Sequence, residues 1–408
     1  MPIINTLMDT DFYKYTMAQF VLHKHPDAIV KYAFKCRNGT GTPFGNKFEA
    51  ASEFAQKINE EIDHLCTLRH TRDEIEWLRN IPFFKPDYIE YLRLLQLNRD
   101  YIQCWAEVDG TLNIEVEGPW VSTIWFEVPV LAIVSELHSL EDSEFEVNKR
   151  LEGRKRLNEK VKLINDFCRA GEFHAIGDRF KLADFGTRRR NSYEWQQTVL
   201  EWMLGEIPEG TLVGTSNVHL AKRLGIKPVG TMAHELLQAF QQLGGRLVDS
   251  QKACLDEWAH EYRGQLGIAL TDVVGFDRFL KDFDLFFAKL FDGCRHDSGD
   301  PIKWGHKLIN HYRELGIDAK TKTAVFSDGL DIPRAIDLFR KFNNMINVSF
   351  GIGTNLTNDM GYEVPQIVMK MVECNGRPVA KVPDSKGKGM CRDDRYLAHL
   401  KYVYRIEE

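Results

Sequence analysis

The eight cysteines form no C-x-x-C pair: Cys36, Cys66, Cys104, Cys168, Cys254, Cys294, Cys374 and Cys391 stand far apart. That scatter argues against a zinc frame or a disulfide scaffold and fits reduced thiols. An excess of basic charge is also missing. The net charge is -6 and the pI about 6.1, whereas a general nucleic-acid binder is normally basic. No uninterrupted apolar run approaches the ~18 residues of a spanning helix. The N-terminus, Met1-Pro-Ile-Ile-Asn and then acidic at Asp9, lacks the cationic and apolar regions of a signal peptide. There is no low-complexity tract and no fixed-period repeat, which excludes a solenoid. A Walker lysine pattern and a full G-x-G-x-x-G are absent too. These absences lead to the expectation of a cytoplasmic protein with no nucleic-acid or membrane partner.

What is present is a chain of 408 residues, 43% hydrophobic and 27% charged, long enough for two or three domains. The first third is mixed. The apolar periodicity of Phe12 to Leu22 predicts a helix, with Asp9 and Thr10 as caps. Ile29 to Cys36 reads as a strand. Asp109-Gly110, between Tyr101–Val108 and Thr111–Val116, predicts a hairpin. The apolar stretch Val121 to Leu137 reads as helical toward its end, and a charged helix is expected over Glu144 to Phe167. Near the C-terminus, Asn375-Gly376 predicts a second hairpin, whose tail would pack back on the N-terminal domain.

From about Phe180 a pattern recurs: a short apolar run, a polar or small turn, then an amphipathic segment. The turns include Asp184-Phe185-Gly186-Thr187, Gly214-Thr215-Ser216-Asn217, Gly230 to His234, Leu270-Thr271-Asp272, Arg295 to Asp300, Ser327-Asp328-Gly329 and Gly351 to Thr354. Strands alternating with helix-length segments imply parallel βαβ units, and seven or eight of them imply closure into a β/α barrel. The expected fold is therefore α/β: an irregular parallel β/α barrel over 141–364, a mixed α/β domain over 1–140, and a C-terminal hairpin and tail over 365–408. An open doubly wound sheet is the alternative.

In such folds ligands bind at the carboxyl ends of the strands, and the polar turns fall there. Arg188, Arg189 and Arg190 are adjacent guanidiniums that call for anions, although a solvated basic turn reads the same. Gly351, Gly353 and Thr354, like Gly214 to Ser216, fit a backbone cradle for phosphate, or simply turn glycines. Asp297, preceded by Arg295 and followed by Ser298, suits ribose hydroxyls or a magnesium-bearing diphosphate; Asp300 reads as the cap of a helix starting at Pro301. His234, with Glu235 beside it and Asp272 at the next strand end, is open between acid/base and nucleophilic roles.

These segments together resemble nicotinate phosphoribosyltransferases of the bacterial and fungal type, nearly end to end. The resemblance is carried by Leu7-Met-Asp-Thr-Asp-Phe-Tyr13-Lys14, Phe126 to Glu136, Asp184 to Arg190, Val213 to Asn217, Gly230 to Glu235, Arg295 to Pro301, Phe350 to Thr354 and Val372 to Lys381. It implies a ligase-type enzyme of NAD salvage that joins nicotinate to phosphoribosyl pyrophosphate, with ATP as co-substrate. His234 would be phosphorylated, oriented by Asp272 and Glu235. Phe185 would stack on the pyridine, with Tyr13 covering its other face from the partner of a homodimer that shares active sites. Arg188, Arg189 and Arg295 would hold anions, Asp297 the ribose end, and Asp328, Ser298, Gly351, Gly353 and Thr354 the phosphate side. Mg2+ would arrive with the diphosphate, without a protein metal site. The related nicotinamide enzymes carry an aspartate where Ser216 falls, so Ser216 favours the acid as substrate. Nicotinamide phosphoribosyl transfer and a non-catalytic nucleotide-binding regulatory barrel are the alternatives.

Overall fold

The structure, a computed structural model, describes residues 2–38, 48–140, 146–171, 179–382, 384–385 and 389–406. The first two residues of the charged helix expected from Glu144 lie outside them; the helix is described over Glu146–Arg169.

Two sheets organise the chain. The first is antiparallel and joins β1 (Ile29–Cys36), β2 (Ile102–Ala106) and β3 (Leu112–Pro119) to β10 (Ile367–Cys374) and β11 (Arg377–Pro378), in the order β11-β10-β1-β3-β2. Both expected hairpins are present. Asp109-Gly110 links β2 to β3, and Asn375 and Gly376 link β10 to β11 with φ of 51° and 69°, the left-handed pair that a tight hairpin turn requires.

The second sheet is parallel, with β4 (Leu182–Asp184), β5 (Leu212–Thr215), β6 (Ile268–Leu270), β7 (Gly293–His296), β8 (Thr323–Phe326) and β9 (Asn347–Ile352) in the order β5-β4-β9-β8-β7-β6. Six described strands replace the seven or eight units expected. The gap between β5 and β6 is crossed by an irregular segment: Lys227 O accepts from Thr215 N at 3.2 Å, Val229 N donates to Thr215 O at 2.9 Å, and the Thr231 hydroxyl donates to Ile268 O at 2.8 Å. Gly214 permits this approach, because a Cβ there would run into Lys227 O. The barrel is thus irregular for an identifiable reason: its missing wall is made from side-chain and single backbone bonds rather than a ladder.

Helix α1 (Phe12–Lys24) matches the expected helix, but its cap does not. The N-cap is Asp11, without a side-chain cap bond. Asp9 instead pairs with Arg190, whose guanidinium is fully buried between the two Asp9 oxygens (2.5 and 2.7 Å) and Glu136 Oε1 (2.6 Å). A charge that has left water outweighs the modest value of a cap. The apolar stretch becomes two helices, Trp120–Thr123 and Glu127–Leu140. Residues 120–140 are apolar and long enough to cross a membrane, yet most of that stretch is buried inside the protein. Glu127 and Glu136, which interrupt it, meet Lys14 and Arg190.

The tail divides. β10 lies beside β1, after which Val382 N bonds Val273 O and draws the chain across the barrel mouth. The closing helix Asp394–Tyr404 then packs on the barrel side, not on the N-terminal sheet: the Tyr404 hydroxyl reaches Leu247 O and Ser250 Oγ.

Replacing Arg190 by Met should strand two buried carboxylates and cost about 3–5 kcal/mol. Urea unfolding will read this as a lowered midpoint at unchanged slope; an unshifted midpoint would mean the carboxylates find other partners.

Candidate active site

The loop after β4 is held by Asp184, whose buried carboxylate accepts from Gly186 N (2.8 Å), Thr215 Oγ1 (2.7 Å) and Gln196 Nε2 (2.7 Å). Burial raises this carboxyl to about 6 despite those bonds. The fixed loop presents Phe185 and then a 3-10 turn, Thr187–Arg189. The Phe185 ring packs against β9 at Gly351, which has no side chain there; a Cβ would strike the ring.

Two cavities meet at this loop. One, of about 650 Å³, is mostly apolar and runs down the barrel interior past Ala183, Val213, Val325 and Ile268. It also takes in Tyr13, Asp11 and Ser216. The other, of about 270 Å³, is polar. Among the described residues, six cationic side chains line it (Arg37, Arg188, Arg189, Arg295, Lys370 and Lys381) against Asp297 and Asp328. Phe185, Arg188 and Arg295 belong to both cavities.

Such a concentration of positive charge is unfavourable until an anion enters. Burial and the neighbouring cations Arg188 and Arg37 lower the pKa of Arg189, and burial with Lys381 and Arg37 brings Lys370 down to about 7. A bound phosphate relieves both penalties. Arg189 is already anchored, donating to Ile367 O (2.8 Å) and Gln366 Oε1 (3.0 Å). Arg188 is looser: its carboxylates, Glu127 and Asp11, stand at 3.5 and 3.6 Å.

His234 opens the helix His234–Leu243 at the wall of the polar cavity. Its Nε2 is 2.9 Å from Asp272 Oδ1, 3.3 Å from Asp297 Oδ2 and 2.7 Å from Lys381 Nζ. A neutral ring satisfies only one side at a time. With the proton on Nε2 it donates to Asp272; without it, Nε2 accepts from Lys381. Burial and the Lys381 charge bring the imidazole down to about 4, against the pull of Asp272. Near neutral pH one ring nitrogen therefore keeps its lone pair. Burial opposes the charge of Asp272, but His234 and Lys381 hold it well below the usual carboxylate range. His234, Asp272 and Asp297 bring one donor atom each within 4.8 Å of one another, a spacing that suits a cation. The Lys381 ammonium, 2.6 Å from Asp272 Oδ2, already supplies one there.

Residues 180–408 match the nicotinate phosphoribosyltransferase (NAPRTase) family, and residues 8–135 match its N-terminal domain. The chain belongs to the nicotinate phosphoribosyltransferase family. It is 51% identical over 407 residues to a nicotinate phosphoribosyltransferase of Acinetobacter baumannii, covering 100% of this chain and 98% of the relative. It is 52% identical to that of Chromobacterium violaceum, covering 99% and 98%. The crystal structure of the Vibrio cholerae nicotinate phosphoribosyltransferase superposes with a TM-score of 0.91 at 38% identity, covering 100% of this chain and 95% of that one. A putative nicotinate phosphoribosyltransferase from Saccharomyces cerevisiae gives 0.86 at 30%, covering 100% and 99%.

Against the family expectations, the structure brings Phe185, Arg188, Arg189, His234, Arg295, Asp297, Asp328, Gly353 and Thr354 together around the polar cavity. Tyr13 and Ser216 line the apolar one. Gly351 stands behind Phe185, as its seat. Two assignments change. Ser298 is buried and donates to Asp272 Oδ2 at 2.6 Å, so it steadies the carboxylate instead of facing a ligand. Glu235 does not touch His234; adjacent helix residues point apart, and its Oε1 meets Lys14 at 2.6 Å. Tyr13 lines the apolar cavity of its own chain, beside Arg188. The charge argument at Ser216 also widens, since its hydroxyl donates to Asp11 Oδ1 at 2.7 Å and a carboxylate is present in the cavity after all.

Sequence reasoning missed Arg37, Lys370 and Lys381. Lys381 closes the last motif of the resemblance, a signal that was there to use. Lys370 comes from the antiparallel sheet and Arg37 from the residue just after β1, and nothing local to them points at a barrel mouth.

Replacing Lys381 by Met should raise the His234 pKa from about 4 toward the ordinary histidine value. NMR titration of the imidazole will show the shift; an unmoved titration would mean that Lys381 does not act on the ring.

Proposed function

We propose that this chain transfers the phosphoribosyl group of phosphoribosyl pyrophosphate to nicotinate, giving nicotinate mononucleotide and pyrophosphate for NAD salvage. The supporting observation is the junction of the two cavities at Phe185, Arg188 and Arg295. A flat apolar ring enters from one side, a polyanionic sugar from the other, and the new bond forms where they touch.

In this reading the pyridine lies against Phe185 with Tyr13 on the same cavity wall, and its carboxylate points to Arg188. The guanidinium fork suits a carboxylate. As the ribose–diphosphate bond breaks, positive charge grows on the sugar and negative charge on the leaving group. Arg189, Arg295, Lys370 and Arg37 are fixed donors for the latter, and fixed charges need no reorganisation as the reaction proceeds. Asp297 faces the sugar, while Asp328, Gly353 and Thr354 border the phosphates.

ATP hydrolysis is coupled through His234. The lone pair of its neutral ring attacks the γ-phosphorus, a P–N bond forms, the P–O bond to ADP breaks, and water later releases the phosphate. Asp272 holds the ring by accepting from Nε2, which leaves the Nδ1 lone pair to attack, and the Lys381 charge beside the ring offsets that of the phosphoryl group. Mg2+ is carried in on the diphosphates and offsets their charge. We place the enzyme in the cytoplasm, where its eight free thiols stay reduced. A homodimer with shared sites is part of this reading, supported by the family resemblance alone.

Nicotinate should yield mononucleotide in the presence of phosphoribosyl pyrophosphate and magnesium, and ATP should increase the yield. Product from nicotinamide instead would move the chain to the sibling activity, and product from neither, with folded protein, would favour the non-catalytic barrel. His234→Ala should keep the fold and lose the stimulation by ATP; stimulation that persists would sink the phosphohistidine. Gly351→Ala should displace Phe185 and raise KM for nicotinate more than KM for phosphoribosyl pyrophosphate, and equal rises would place the ring elsewhere.

A further inference from the structure

Lys14 follows Tyr13 in the first turn of α1 and is fully buried. Its ammonium stands 2.6 Å from Glu127 Oε2 and 2.6 Å from Glu235 Oε1. The rings of Tyr13 and Tyr32 are centred 5.4 and 5.9 Å away. Taking an ammonium out of water costs several kcal/mol, and packed apolar residues often replace a buried ion set without loss of stability. The tie between the N-terminal segment and the arginine loop is already made by Arg190. Stability alone therefore gives little reason for a lysine here.

Glu127 is shared between two cations at unequal distances. Its Oε2 is in hydrogen-bond contact with Lys14, whereas its Oε1 is 3.5 Å from Arg188 Nη1. The second carboxylate near Arg188 is Asp11, at 3.6 Å, and it is engaged by the Ser216 hydroxyl. Arg188 thus has two carboxylates within ion-pair range, and neither closes to good hydrogen-bond distance. Its side chain stays 42% exposed, its fork open to both cavities.

We propose that Lys14 is a positioning residue for the nicotinate site: by holding Glu127, it keeps that carboxylate from closing on Arg188 and so leaves the guanidinium free for the carboxylate of the substrate. The proposal rests on the reading of Arg188 as the nicotinate anchor. From its other side Lys14 is held by Glu235, the residue after His234. One ammonium thereby joins the base site to the start of the helix that carries the phosphate acceptor. Without Lys14, the nearest cation left for Glu127 is Arg188. A protein carboxylate would then occupy the fork in competition with nicotinate.

The test compares full-length Lys14→Met with Lys14→Met/Glu127→Gln, reading kcat and the two KM values. In Lys14→Met the KM for nicotinate should rise roughly tenfold, the worth of one charge-assisted hydrogen bond, with a smaller change for phosphoribosyl pyrophosphate. Adding Glu127→Gln removes the competing charge and should bring the nicotinate KM back down. A merely structural lysine predicts that kcat and both KM values worsen together and recover together when Glu127→Gln removes the stranded charge. An unchanged nicotinate KM in folded Lys14→Met, or a double variant no better than the single, overturns the proposal. Should Lys14→Met fail to fold, Lys14→Gln, which keeps one donor, carries the same expectation. Arg188→Ala separates the two levels: if it leaves the nicotinate KM unchanged, the anchor reading fails, and the proposal falls with it.

Discussion

A guanidinium buried out of reach of water has to meet its anions before the chain can close over it. Arg190 meets two of them, Asp9 from the N-terminal segment and Glu136 from the helix Glu127–Leu140. Its position in the chain makes this more than a stabilising contact. It is the third of three consecutive arginines, and the backbone that seats it inward sends Arg188 and Arg189 into the cavities. The same clamp holds Asp9 in place, and Asp11, Tyr13 and Lys14 follow it within five residues. One buried ion set thus registers the N-terminal segment against the loop after β4, and the site is assembled around that register.

The barrel interior supports the same division of labour. A β/α barrel is ordinarily filled by layers of branched side chains. Here Ala183 and Ser349 are small, the wall between β5 and β6 is irregular, and a cavity of about 650 Å³ remains. A hollow of this kind is stable only if something else holds the strands. Asp184 does so at one seam, bonding its own loop, β5 and the helix Tyr193–Glu206 at once. The apolar space keeps water away from an aromatic ring, while the polar cavity beside it concentrates cations. Placing the two in contact yields a junction with a different dielectric on each side.

Features set by neighbours in the chain were legible in the sequence: the hairpins at Asp109-Gly110 and Asn375-Gly376, the Asp300 cap on Ile302 N and Lys303 N, and the polar turns at strand ends. Features set by long-range charge were not. Asp9 stands where a cap belongs but is claimed by Arg190, 181 residues away. Glu235 stands beside His234 in sequence and turns toward Lys14, 221 residues away. Ser298 follows Asp297 yet serves Asp272. Arg37, Lys370 and Lys381 reach the polar cavity from the sheet and tail that close over the barrel, and no periodicity announces that closure. The family resemblance supplied most of the site, because it encodes three-dimensional neighbours that local patterns do not.

The electrostatics around His234 bear on which role the ring suits. A general base works best when its pKa lies near the working pH. An imidazole brought down to about 4 by burial and by Lys381 is a weak proton acceptor at neutral pH. A nucleophile has a different need, an available lone pair, and a ring that is neutral at that pH keeps one on one of its nitrogens. The Lys381 ammonium, 2.7 Å from Nε2, then has a second use, since a phosphoryl group arriving on the ring brings negative charge beside it. Lys381, which together with burial makes His234 a poor base, is thus also the group that would stabilise a phosphorylated ring.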